Sequence, residues 1–164
     1  MLISRKKVEK NKQKPKKVTL GVQQYHMKLK FPSFKFYKKD CSNIGWIGQL
    51  KPTVNSPLYT VKIKYSDYHP KVYVLEPKIL DNAPHRYEDG SLCLYYPKDM
   101  SYEETSIIAD TIVPWTAEWL FYYEAWLKEG VWWGPEAPHH PNSKAGQRVN
   151  RNYLKEWSRK VIGN

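Results

Sequence analysis

The clearest stretch of alternation runs through Tyr59-Thr60-Val61-Lys62-Ile63-Lys64-Tyr65. Its odd positions are apolar or aromatic and the residues between them are polar, the period-two signature of a half-buried strand. Asn55-Ser56-Pro57 punctuates the chain just before it. Trp46 to Leu50, closed by Lys51-Pro52, reads as the preceding strand. Phe34, Phe36 and Tyr37 begin an earlier one, and Val72 to Leu75 follows Asp67-Tyr68-His69-Pro70 as a later one. Upstream, Val18 to Lys30 is a weakly patterned first helix that Pro32 ends. The first half is therefore expected to be a short antiparallel meander behind one helix.

The second half changes period. Trp119, Leu120, Tyr123, Trp126 and Leu127 fall at i, i+1, i+4, i+7 and i+8. That is one helical face, predicted to start after Pro114-Trp115 and to stop at Gly130. Ser101 and Glu104 have capping-box spacing ahead of Ile107, Ile108, Thr111 and Ile112, which predicts another helix there. Tyr153, Leu154, Trp157 and Val161 mark a last amphipathic segment. Strands followed by helices argue for an α+β domain.

With 164 residues the chain has room for one domain. Lys and Arg number 27 against 16 acidic residues, a net charge of +11. Eight of those basic residues lie within residues 1–17, against the single Glu9. The excess thus belongs to a tail, expected to be mobile, ahead of a domain spanning residues 18–164. Such a tail suits an acidic partner or simple solvation, so a basic nucleic-acid-binding protein is an alternative reading. Most of the aromatic residues that would offer stacking surfaces sit at core spacing, which weighs against nucleic acid. No window approaches 18 uninterrupted apolar residues, and Met-Leu-Ile-Ser-Arg-Lys-Lys has no apolar stretch behind its charges. Neither a membrane span nor a secretory signal is expected. Two cysteines, Cys41 and Cys93, make neither a disulfide scaffold nor a four-cysteine zinc site, and a reducing, cytoplasmic setting is expected.

Between the halves, Glu76 to Asp99 is long, irregular and rich in proline, which in a compact domain points to function. It contains Pro84-His85-Arg86-Tyr87-Glu88-Asp89-Gly90-Ser91-Leu92-Cys93-Leu94. Asp89-Gly90 is a turn signal that folds the chain back and brings His85 and Cys93 together. A thiol beside an imidazole has the means to act as a nucleophile. The plain alternative is a small buried hydrophobe. Glu136, His139 and His140 have metal-ligand spacing, but the prolines around them argue against a helix and further ligands are lacking. No cofactor or metal is expected.

This stretch resembles the active-site loop of ubiquitin-conjugating (E2) enzymes, in which His-Pro-Asn is followed by a turn and Gly-Ser-Ile-Cys-Leu. Here Gly90-Ser91-Leu92-Cys93-Leu94 matches the second part. His85 stands eight residues before the cysteine, where the family has asparagine, and Ala83 replaces the motif's histidine. Leu58 to Val74 is similar to the third strand, the aspartate-tyrosine-proline turn and the fourth strand of the E2 fold, and Trp46 to Thr53 fits its second. The stretch from Trp115 to His139 is most similar to the stand-alone E2 proteins of type II CBASS, the cyclic-oligonucleotide antiphage systems.

The resemblance implies a UBC-like fold with a short antiparallel β-meander flanked by an N-terminal helix and C-terminal helices. It implies an acyltransferase in which Cys93 forms a thioester. The donor would be the C-terminus of a cGAS-like nucleotidyltransferase, and the acceptor an amine. His85 would inherit the asparagine's part in stabilising the oxyanion, since an imidazole can donate a hydrogen bond there. His139 would return to the active site from the C-terminal side. The chain shows no Gly-rich phosphate loop, so activation would come from another protein, or the system would work without it. Other readings are an inactive E2-like binding module and a cysteine hydrolase acting in the reverse direction.

Overall fold

The computed structural model describes residues 16–96 and 101–135. The residues before 16, the segment around Glu136, His139 and His140, and the expected amphipathic segment at 153–161 lie outside the described part. The elements are helix α1 (Leu20–Lys30), strands β1 (Lys35–Lys38), β2 (Ile44–Leu50), β3 (Tyr59–Lys64) and β4 (Lys71–Glu76), and helix α2 (Ile112–Glu129).

The four strands form one antiparallel sheet in the order β1-β2-β3-β4. Its register pairs Phe36 with Trp46, Trp46 with Ile63, and Ile63 with Val72. Alternation decides the faces, as the sequence predicted. Tyr59, Val61 and Ile63 are buried on β3, and Trp46, Gly48 and Leu50 on β2. Gly48 is needed because the Phe34 ring lies where a Cβ would stand, 2.3 Å away. Apolar residues of α2, among them Ile112, Val113, Leu120 and Tyr123, join this inner face in one core, to which α1 adds Met27. The architecture is α+β and compatible with the UBC-like fold.

Two helix boundaries differ from the sequence reading. α2 starts at Ile112, ahead of Pro114 and not behind it. The first N–H groups of a helix have no partner inside it, so a proline in the first turn removes no hydrogen bond. Residues 101–111 form turns instead of a helix, because their backbone groups are engaged elsewhere. The buried Gln23 amide of α1 donates to the Ser106 carbonyl (2.8 Å) and accepts the Ile108 N–H (2.9 Å). The Glu104 carbonyl accepts the Val18 N–H (2.9 Å) and its carboxylate accepts the Tyr68 hydroxyl. Ile108 and Ile112 still reach the core, which is why their spacing looked helical. No helix among the described residues is long and apolar enough to cross a membrane.

Candidate active site

Past β4 the chain leaves the sheet and returns to it as a small hairpin. Gly90, at φ 80°, donates its N–H to the Tyr87 carbonyl (2.9 Å) and closes a turn. Tyr87 N–H then donates to Ser91, and Cys93 N–H to His85, each at 2.9 Å, around the antiparallel pair Arg86–Leu92. Leu92 N–H reaches the Val72 carbonyl on β4 (2.9 Å), which stitches the hairpin to the sheet. The Asp89-Gly90 turn therefore does what its sequence predicts, and it brings His85 and Cys93 together as opposed residues of a ladder.

The tip is fixed by charge. Asp89 accepts the Ser91 N–H (3.0 Å) and hydroxyl (2.5 Å), and its other oxygen accepts from Lys71 at the start of β4. The Lys71 ammonium, followed by the Ser91 donors, holds the Asp89 carboxyl well below the usual carboxylate range.

Cys93 is a free, half-buried thiol, with Leu92 anchored in the core beside it. Its Sγ lies 3.5 Å from the Tyr87 hydroxyl. Burial, and then the hydrogen bond to Cys93, push the Tyr87 phenol up. Burial and the nearby sulfur push Tyr95 up to about 12. Cys41, the other free thiol, is exposed in the turn between β1 and β2.

His85 has φ 55°, a left-handed backbone that non-glycine residues seldom adopt, although His and Asn are enriched among those that do. Its carbonyl accepts two N–H groups, from Cys93 and from the indole of Trp119 on α2 (3.0 Å). Its ring lies on Trp132, with centroids 4.7 Å apart. Trp132 in turn packs on Trp119 and Tyr122. The segment after α2 thus closes over the imidazole, while α2 itself holds its backbone.

Beside the hairpin runs a groove of about 730 Å³, lined by His69, Lys71, Arg86, Tyr87, Leu94 and Tyr95 among others. Its lining includes neither Cys93 nor His85, although Leu92 and Leu94 on either side of the cysteine belong to it. Among the described residues no group of three or more His, Cys, Asp or Glu side chains could hold a metal ion.

Of the predicted site residues, the structure brings Cys93 and His85 together, and His139 lies outside the described residues. Sequence reasoning missed Tyr87, Trp132 and the tether from Trp119, which it assigned to the core alone. Tyr87 was findable. A turn at Asp89-Gly90 that pairs residue 85 with 93 also pairs 87 with 91, which makes Tyr87 a diagonal neighbour of Cys93. Trp132 and Trp119 carried no such local signal.

No curated protein matches the chain in sequence. Residues 23–141, which include most of α1, the meander, the hairpin and α2, match the family described as the type II CBASS E2 protein. The chain belongs to that family, and its role is an E2-like one within a CBASS system.

Proposed function

We propose that the protein is an E2-like acyltransferase that carries an acyl group on Cys93 as a thioester and passes it to an amine. The observation that supports this most is the half-exposed thiol at the end of a hairpin locked on both strands, opposite His85. In loading, the Cys93 thiolate attacks the carbonyl of an activated acyl group, and the C–S bond forms as the activating group leaves. In transfer, an amine attacks the thioester, the C–N bond forms, and sulfur departs with the electrons of the C–S bond. Both steps pass through a tetrahedral oxyanion. His85, with its carbonyl pinned by two N–H donors and its ring braced on Trp132, supplies an imidazole N–H to that oxygen.

The acyl donor in this reading is the C-terminus of a cGAS-like nucleotidyltransferase, so that conjugation regulates cyclic-oligonucleotide antiphage signalling in the cytoplasm. The chain acts as one catalytic domain over residues 18–164, behind a basic tail at residues 1–17. Activation of the acyl group falls to a separate enzyme. His139 approaches the same site from the C-terminal side.

Substitution of the nucleophile tests this. Co-expressed with the nucleotidyltransferase, the wild type yields an adduct that thiol removes. Cys93→Ser yields an oxyester that survives thiol and yields to hydroxide, and Cys93→Ala yields none. An adduct that persists in Cys93→Ala overturns the assignment. If Cys93→Ala leaves antiphage protection in cells intact, the fold serves as a binding module instead.

A further inference from the structure

Tyr87 is the feature of this site that neither the family assignment nor the proposed reaction uses. Its backbone is fixed at both ends, since its N–H donates to Ser91 and its carbonyl accepts from Gly90, each at 2.9 Å. The hairpin that pairs 85 with 93 and 87 with 91 sets residue 87 diagonally across from 93. From position 87 an aromatic side chain spans the diagonal to position 93. There its hydroxyl stands 3.5 Å from Sγ, within hydrogen-bond range for a sulfur atom. Tyr87 is 46% exposed, so core packing does not account for its orientation.

A tyrosine hydroxyl both donates and accepts, and that matters beside a thiol. While Cys93 is protonated, its S–H donates to the phenol oxygen. When the thiol has lost its proton it can only accept, and a rotation about the C–O bond turns the phenol O–H toward sulfur. A hydrogen bond to the charged form favours that form. We infer that the Tyr87 hydroxyl stabilises Cys93 sulfur in its anionic state, both as the attacking thiolate and as the group that leaves the thioester.

The second half of this inference rests on the acyl-carrier reading. When a primary amine attacks the thioester, its lone pair forms the C–N bond, the C–S bond breaks, and both electrons of that bond go to sulfur. The amine releases a proton to water. Tyr87 keeps its own proton throughout and contributes a hydrogen bond to the departing sulfur. Its phenol is suited to this because burial and the sulfur itself resist its ionisation. Among the described residues, the titratable groups around the sulfur include Tyr87, Tyr95 and, across the ladder, His85. Asp89 acts on Tyr87 from the hairpin tip, and Lys71 is paired with that carboxylate.

The test is the pH profile of Cys93 alkylation by iodoacetamide, followed by intact mass in the full chain carrying Cys41→Ser, so that one thiol reports. In Tyr87→Phe the midpoint moves up by about half a unit to one unit, so that alkylation at pH 7 slows about three- to tenfold. Replacing Tyr87 with 3-fluorotyrosine, a more acidic phenol of nearly the same shape, moves the midpoint down. A residue that only shaped the loop would not respond in opposite directions to these two changes. Profiles that superimpose for wild type, Tyr87→Phe and fluorotyrosine overturn the inference. This assay needs no acyl group, so it is read apart from the acyl-carrier proposal. A shifted profile in a protein whose wild type never forms a thiol-labile adduct supports the bond to the thiolate and overturns the role in transfer.

Discussion

His85 shows how a single backbone angle limits which chemistry a position can host. At φ 55° a β-branched side chain is strained, whereas His and Asn are tolerated. Asparagine, which the E2 motif has at this position, is among the residues that tolerate this backbone angle. That account predicts that His85→Asn keeps the fold and retains the Cys93 adduct. His85→Val should lose about 1–3 kcal/mol of stability, measured by urea denaturation, and lose the adduct as well. Equal stability for the two variants would remove the backbone argument. At this scale the sequence was informative wherever chemistry was local. Asp89-Gly90 announced the turn, and the turn announced the proximity of His85 and Cys93. Trp132 and Trp119 were hidden because their part depends on how α2 and the chain beyond it lie across the hairpin.

Strands could be read from the sequence, because alternation on β2 and β3 reflects a sheet with one buried face. The segment at 101–111 could not. Its capping-box spacing and its isoleucines match a helix, but the Gln23 side chain supplies from α1 the bonds that a helix would have made internally. Tertiary contact outweighed local preference there. Gln23→Leu tests this coupling of elements. It keeps the bulk and leaves the Ser106 carbonyl and the Ile108 N–H unpaired, so stability falls by about 2–4 kcal/mol. Hydrogen exchange should rise first at Ile108 and its neighbours. An exchange pattern unchanged from wild type would mean that the amide is not what holds this segment.

Over the whole molecule, α2 joins the core to the site, and one of its carboxyls is half-buried where charge is costly. Burial pushes Glu118 up to about 7. In the unfolded chain a glutamate ionises near about 4.3. Below that value both states are protonated and the contribution to stability is fully present. As pH rises toward 7 the unfolded state gives up its proton first, so stability falls across this window and then levels off. Glu118→Gln should flatten this fall and stabilise the protein at pH 8 by on the order of 2 kcal/mol. Denaturation curves at pH 5 and pH 8 measure it. A wild type no less stable at pH 8 than at pH 5 would contradict it. Sequence gave no sign of this group, since a glutamate on a helix is ordinarily solvated.

The central claim is that Cys93 carries an acyl group. The most direct measurement is intact mass spectrometry, without reductant, of the full chain co-expressed with the cGAS-like nucleotidyltransferase proposed as its donor, followed by peptide mapping. The account predicts an adduct that joins the partner's C-terminal carbonyl to the Cys93 peptide and that disappears on treatment with thiol. An adduct mapped to Cys41 alone, or the free mass in every sample even with an activating enzyme supplied, would contradict it.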